Sequence, residues 1–244
     1  MSMFSFQCQE AARGVGCTTR GVCGKDAEVS NLQDLLIYTT KGIANIVMRN
    51  DLDVSQLSAI NTEILNSLFS ITNANFDQDA IIRQIRKVLR MRDGLMANVT
   101  DSAVLHDAAT FQVTEREDML AKAALVGVLS TTNEDVRSLR ELIMYGLKGM
   151  AAYAHHALNL GQENGEIYAF IYRALDATLN DDLSTDDLVD LTLETGKYGV
   201  DVMALLDAAH TSRYGNPEMT EVMIGVRNNP AILISGHDLT DLEQ

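Results

Sequence analysis

The stretch Leu32-x-x-Leu35-x-x-Tyr38-x-x-Lys41-Gly42-x-Ala44 recurs 107 residues later as Leu139-x-x-Leu142-x-x-Tyr145-x-x-Lys148-Gly149-x-Ala151. Six of these thirteen positions are identical, and the same offset relates Asn73 to Asn180 and Met96 to Met203. Internal repetition at a fixed spacing indicates two similar structural units. Apolar residues recur at helical spacing in both copies, which predicts helices with one apolar face. We therefore predict a mainly α protein with two tandem three-helix bundles, at residues 31–98 and 133–215.

The other segments have different patterns. Residues 1–30 are rich in Cys and Gly without a clear period, and residues 99–132 suggest a linker with a connecting helix. Residues 216–244 contain a short apolar run after Pro230, which predicts the first strand of an α/β domain that the chain does not complete. Three capping boxes predict helix starts, and a break is predicted in the last helix at Gly196 or Gly199. The capping boxes are Ser30-x-x-Gln33, Thr114-x-x-Glu117 and Ser184-x-x-Asp187.

The charge balance excludes two classes of partner. The chain has 19 basic and 34 acidic residues, giving a net charge of −15. Binding to nucleic acid or to an anionic membrane surface requires a basic face. The N-terminus lacks the pattern of a secretory signal, and no apolar run is long enough to span a membrane. Together with an odd number of Cys, these features favour a reducing, cytoplasmic setting.

All three cysteines lie in the first 23 residues, as Cys8, Cys17 and Cys23, with several glycines among them. Thiolates are soft ligands that suit iron–sulfur clusters or zinc. Both kinds of site usually have four protein ligands, and the first His of the chain is far away at His106. The residues alone therefore leave three alternatives open: an iron–sulfur site, a zinc site, or inert or redox-active thiols.

Two segments carry a family resemblance. The first segment contains the runs Met3-Phe-Ser5-Phe-Gln-Cys8-Gln-Glu-Ala-Ala, Gly16-Cys17-Thr and Gly21-Val-Cys23-Gly-Lys25. They resemble the N-terminus of the hybrid-cluster (prismane) proteins, a family of hydroxylamine reductases. Ile234-Ser-Gly-His237-Asp-Leu resembles that family's entry into its first α/β domain. The family typically begins Met-Phe-Cys-x-Gln-Cys, so Ser5 stands where its first Cys would be.

The resemblance implies roles for individual residues. Four N-terminal Cys of the family hold a cubane cluster, and Cys8, Cys17 and Cys23 match three of them. Their spacing resembles members with a [4Fe–4S] cluster, and Ser5 leaves a [3Fe–4S] cluster or an empty site as alternatives. His237 matches the first ligand of the iron–sulfur–oxygen hybrid cluster. The other hybrid-cluster ligands of the family lie beyond this chain, so that cluster is expected only in the full-length parent.

These implications give a functional hypothesis. The chain would be the N-terminal electron-transfer portion of an oxidoreductase that reduces hydroxylamine to ammonia, or reduces nitric oxide. Its expected partners are an electron-donor protein and the rest of the parent chain, and a homo-oligomer stays open. Because most active-site ligands are missing, the chain alone is expected to lack activity in an assay with reduced viologen. The alternatives are a metal-free helical assembly module and structural zinc on the same Cys.

Several other residues have structural interpretations. Adjacent positions on a helix point about 100° apart, so the pair His155-His156 is a poor metal site. His106 and His210 are predicted to be surface or capping residues. Lys41-Gly42 and Lys148-Gly149 lie inside helices without a glycine-rich loop, which favours close helix packing at Gly over phosphate binding. No carboxylate pair stands out as an acid–base couple.

Overall fold

The computed structural model describes residues 3–6, 8–72, 75–99 and 105–234. Helix α1 (Ala27–Arg49) begins after Asp26, whose carboxylate accepts the N–H of Val29 at 2.8 Å. The predicted start at Ser30 is therefore wrong. Because Asp26 lies four residues earlier and caps the first turn, Ser30 becomes a buried residue inside the helix.

The first repeat continues with α2 (Ser58–Thr72) and α3 (Gln78–Leu95), as the apolar periodicity predicts. The connecting region contains α4 (Asp107–Thr110) and α5 (Arg116–Val126). Helix α5 follows Glu115, and no side chain caps its first turn. The capping box predicted at Thr114-x-x-Glu117 is therefore wrong.

The second repeat contains α6 (Glu134–Asn159), α7 (Gly165–Ala177) and α8 (Thr185–Tyr214). The capping box of Ser184 and Asp187 is confirmed at the start of α8. The predicted break at Gly196 or Gly199 is wrong, since α8 is continuous through both residues. A glycine weakens a helix by only about 1 kcal/mol, which the packing of α8 on α6 can offset.

The two repeats exchange their second helices. Helix α1 packs mainly against α3 and α7, and α6 packs mainly against α8 and α2. Each second helix thus has its main contacts with the first helix of the other repeat. Buried residues of all the long helices form one hydrophobic cluster. The mainly α fold class is confirmed.

A buried hydrogen bond ties α7 to α2 within this core. The hydroxyl of Tyr172 donates to Oδ1 of Asn61 at 2.8 Å, and the Asn61 amide donates to the carbonyl of Val54 at 2.9 Å. Both side chains are buried. The exchange of second helices is therefore held by a specific polar contact as well as by apolar packing.

Tyr172→Phe is expected to destabilise the fold by about 1–3 kcal/mol, because it leaves a buried acceptor of Asn61 without its donor. Urea unfolding followed by circular dichroism measures this change. Tyr153→Phe is the matched control, since Tyr153 is exposed on α6 and its hydroxyl should contribute less than about 0.5 kcal/mol. Equal stability of the two variants would contradict the prediction.

The equivalent glycines of the repeat differ in their surroundings. A Cβ built on Gly42 would lie 2.0 Å from the carbonyl oxygen of Ala108 in α4. A Cβ on Gly149 would have nothing within 4 Å. The prediction of close helix packing is thus confirmed at Gly42 and wrong at Gly149, because α4 has no counterpart against α6.

Residues 216–234 follow α8 without helix or strand, and their apolar side chains are exposed. The buried strand predicted from Ala231 is wrong for residues 231–234, which are exposed and have no strand among the described residues to pair with; the remainder of that stretch lies outside the described residues. Among the described helices, none combines the length and the apolar character needed to cross a membrane.

Candidate metal centre

Ser5 and Cys17 are paired in an isolated antiparallel bridge. The N–H of Ser5 donates to the carbonyl of Cys17 at 3.0 Å, and the N–H of Cys17 donates to the carbonyl of Ser5 at 2.7 Å. Residues that exchange both bonds lie directly opposite each other, with their side chains on one face of the pair. Both residues are buried, with exposed fractions of 8% and 5%. The structure thus brings together Cys17, one predicted thiol ligand, and Ser5, the residue predicted at the fourth ligand position.

The backbone between Ala12 and Lys25, which contains Cys17 and Cys23, is tightly turned. The N–H of Ala12 donates to the sulfur of Cys17 at 3.4 Å. The N–H of Gly21 donates to the carbonyl of Lys25 at 2.7 Å, which closes a turn around Cys23. A Cβ at position 21 would lie 2.9 Å from the Cys23 sulfur, so a larger residue there would press on this side chain. Backbone N–H groups and turns of this kind can orient sulfur ligands.

The three thiols differ in exposure. Cys17 is buried, whereas Cys8 and Cys23 are exposed, and all three are free. Within residues 3–6, 8–72, 75–99 and 105–234, no three His, Cys, Asp or Glu side chains are grouped closely enough to hold a metal ion. The donors are therefore of a suitable type, with a thiol and a hydroxyl paired, but they are not gathered around one point.

Lys25 lies among these cysteines. Its side chain is buried, with 7% exposed, and burial is the main cause that lowers its pKa. The negative charges of Cys23, Asp34, Cys8 and Cys17 act in the opposite direction and raise this pKa. All three cysteines are thus within electrostatic range of a single ammonium group.

Four ionisable side chains of α1 and α6 act on one another electrostatically, the buried Asp34 and Lys148 and the half-buried Lys41 and Glu141, called the charge quartet below. Burial, and after it the Glu141 carboxylate, raises the pKa of Asp34 to about 7. Burial lowers the pKa of Lys148 to about 8, against the opposing effect of Glu141 and Asp34. Burial also lowers the pKa of Lys41. The quartet is linked to the cysteines through Lys25, which acts on both Asp34 and Lys148.

The sequence interpretation did not find the quartet, although the repeat contains its signal. The offset of 107 that relates Lys41 to Lys148 also relates Asp34 to Glu141. The four residues are thus two pairs of equivalent positions. Whether these four residues lie near one another depends on how the two repeats pack together, and the local periodicity of the sequence does not predict that packing.

A cavity of about 480 Å³ reaches the quartet from the surface. Its lining includes Asp34, Lys41 and Glu141 together with Arg140, whose guanidinium binds Asp181 at 2.9 Å. Exposed residues such as Leu125 line it as well. The cavity gives water access to an otherwise buried carboxyl group.

The predicted histidine roles have different outcomes. His106 caps α4, where its Nδ1 accepts the N–H of Ala108 at 3.0 Å, so its predicted capping role is confirmed. His155 and His156 both contact the Phe69 ring, with centroid distances of 5.3 and 5.4 Å. His237, the predicted hybrid-cluster ligand, lies outside the described residues.

Comparison with known proteins identifies the family. A family model described as Prismane/CO dehydrogenase matches residues 3–244. The chain belongs to the Prismane/CO dehydrogenase family. It is 65% identical to a hydroxylamine reductase of Acetivibrio thermocellus over 245 residues, which cover all of this chain and 45% of the relative. It is 57% identical to one of Desulfitobacterium hafniense over 253 residues, again covering the whole chain and 45% of the relative.

A third relative, a hydroxylamine reductase of Clostridium novyi, is 54% identical over 250 residues, which cover all of this chain and 45% of the relative. The chain thus spans less than half the length of these Prismane/CO dehydrogenase relatives and corresponds to their N-terminal part. Membership of this family points to iron–sulfur cofactors. The type of cluster and the ligand set belong to the proposal that follows.

Proposed function

We propose that this chain carries the iron–sulfur electron-transfer site of a hydroxylamine-reducing oxidoreductase. Cys8, Cys17 and Cys23 would be the thiolate ligands, and Ser5 would occupy the fourth ligand position. The observation that carries this proposal is the backbone pairing of Ser5 with Cys17, at 3.0 and 2.7 Å. This pairing supports the proposal because it holds Ser5 directly beside a buried thiol.

The residues present fit such a group in their chemistry. Three thiols and one hydroxyl are suitable donors for iron, and the buried Lys25 ammonium offsets part of the negative charge of thiolates. Since Cys8 and Cys23 are exposed, loading requires their turns to close on the buried Cys17. A thiolate-bound cluster supplies one-electron transfer, and the chain's own residues hold the sulfurs and balance their charge.

In the whole protein, electrons from a donor protein would pass through this site to a second centre held by the rest of the chain. Reduction of hydroxylamine consumes two electrons and two protons and yields ammonia and water; nitric oxide is the other candidate substrate. His237 is proposed as a ligand of that second centre. The three free thiols support a reducing, cytoplasmic setting.

Cys17→Ala is expected to reduce bound iron and acid-labile sulfide at least tenfold after anaerobic reconstitution, because it removes the one buried thiol of the site. Iron and sulfide analysis with the visible absorption spectrum measures this loss. Thr18→Ala, at an exposed neighbour in the same segment, is the matched control and should load like the unchanged chain.

Two outcomes would contradict the proposal. An unchanged chain that binds zinc, shows no visible absorption band and acquires no sulfide would indicate a structural zinc site. A chain that stays colourless and folded after iron and sulfide treatment would indicate a metal-free helical module.

A further inference from the structure

The cavity of about 480 Å³ lies where the two repeats and the connecting region meet. Side chains of α1 and α6 line it, together with residues 125–128 and 130–133 between them. A volume of this size is typical of sites that bind small molecules. The proposed iron–sulfur site makes no use of this space, since none of the three cysteines lines it.

Two guanidinium groups of α6 meet at one residue of the cavity wall, Thr131. Nη1 of Arg137 donates to the carbonyl of Thr131 at 2.9 Å, and Nη1 of Arg140 donates to its Oγ1 at 3.4 Å. Both arginines line the cavity, and Arg140 is buried, with 7% exposed. A guanidinium group has five N–H donors. Among the described residues, Nε and Nη2 of Arg137 have no partner, so Arg137 has donors left for a ligand.

Arg137 also carries the one charge of this lining that the described residues leave unbalanced. Arg140 pairs with Asp181 at 2.9 Å. The charge quartet contains two lysines and two acids, which offset each other in number. Arg137 binds only the carbonyl groups of Thr131 and Thr132 in the part of the chain that the structure describes. One positive charge therefore stands at the cavity without a closely bound carboxylate.

Apolar side chains form another part of the cavity lining. They are Ile37 of α1, Val136 of α6, and Leu125, Val126 and Val128 between the repeats. Leu125 is 71% exposed, so it presents apolar surface to water. Covering such surface with an apolar group is favourable. The cavity thus combines a free cationic donor with apolar surface, as sites for amphipathic small molecules do.

We propose that this cavity binds a small organic monoanion, a carboxylate with an apolar body. The carboxylate accepts N–H groups of Arg137, as carboxylates do in charge-assisted pairs, and the apolar body lies against Leu125 and Val136. A monoanion suits the cavity better than phosphate, because Glu141 and Asp181 line it too and repel a second negative charge. The binding needs no metal and does not depend on the proposed iron–sulfur site.

The test is isothermal titration calorimetry of the 244-residue chain with benzoate, benzamide and inorganic phosphate. We expect benzoate to bind at one site with a Kd of about 1 mM or below, as for a well-placed ligand of its size. Benzamide has nearly the same shape without the charge and should bind about tenfold more weakly or less. Phosphate should also bind about tenfold more weakly or less, because it carries more negative charge and has no apolar body.

Arg137→Gln should weaken benzoate binding about tenfold or more, because it removes a charge-assisted hydrogen bond. Arg83→Gln is the matched control. Arg83 is exposed on α3 and does not line the cavity, so its loss removes the same charge from another part of the surface. This control should bind benzoate like the unchanged chain.

A second pair of variants keeps the proposal falsifiable should Arg137→Gln fold poorly. Leu125 is exposed, so Leu125→Glu leaves the core intact and adds a negative charge to the cavity lining. It should weaken benzoate binding about threefold or more by repulsion. Leu142→Glu is the matched control, because Leu142 is exposed on α6 and lies outside the lining.

The outcomes separate this inference from the proposed function. Absence of saturable benzoate binding, or equal binding of benzoate and benzamide, overturns it. Tighter binding of phosphate than of benzoate also overturns it and would indicate a site for inorganic anions. Equal losses in each variant and its control would show that benzoate binds elsewhere. All of these results leave the iron and sulfide content untouched, by which the proposed function is judged.

Discussion

Ser5→Cys is expected to change the reconstituted cluster from a species with about three irons to one with about four. Ser5 lies opposite Cys17 in a hydrogen-bonded pair, so the new thiol enters on the same face as the Cys17 sulfur. Thiolate binds iron better than a hydroxyl does, because it is the softer ligand. The added donor should therefore retain the iron that the serine site holds weakly or not at all.

Iron and sulfide analysis with electron paramagnetic resonance tests this change, since an oxidised three-iron cluster gives a signal that an oxidised four-iron cluster lacks. Ser138→Cys is the matched control, because Ser138 is exposed on α6 and its replacement adds a thiol away from the site. An equal increase of iron in both variants, or no change in Ser5→Cys, would refute the ligand position assigned to Ser5.

Gly42→Ala is expected to destabilise the fold by about 3 kcal/mol or more, as overpacking against rigid neighbours does. Its Cβ would lie 2.0 Å from the carbonyl oxygen and 2.6 Å from the carbonyl carbon of Ala108. Both atoms are backbone, so α4 must move away from α1 to make room. That movement would also disturb Arg92, which donates to the Ala108 carbonyl at 3.3 Å from a fully buried position.

Gly149→Ala is the internal control for this prediction. It occupies the equivalent position of the second repeat, has open space around its Cβ, and should stabilise α6 by about 1 kcal/mol through helix propensity. Chemical unfolding of both variants measures the difference. Similar effects at the two positions would show that the close contact with α4 does not govern the stability of α1.

Periodicity in the sequence predicts the long helices because each one buries a single apolar stripe, as in α3 and α6. Helix ends are harder to predict, since neighbouring polar residues compete for the same amides. Asp26 caps α1 in place of Ser30, whereas Ser184 meets no such competitor at α8. Gly196 and Gly199 of α8 show a different kind of failure. The packing of α8 on α6 keeps the helix continuous although glycine locally disfavours it.

The candidate site was predictable only in part. The spacing of Cys8, Cys17 and Cys23 and the resemblance around Ser5 predict the ligand positions, which stay predictions. Lys25 and Asp34 were missed because their own pKa shifts depend on burial and on groups distant in sequence. Burial of a charged residue cannot be read from a local pattern.

The quartet also has a consequence for the history of the chain. When two identical units associate through equivalent surfaces, residues near the axis that relates them meet their own copies. Here the Glu141 carboxylate raises the pKa of Asp34, and the charge of Lys41 lowers the pKa of Lys148. A duplicated ancestor with identical halves would have buried two copies of one acid and two copies of one lysine together. Duplication followed by fusion can thus bring together ionisable groups that neither half would gather alone.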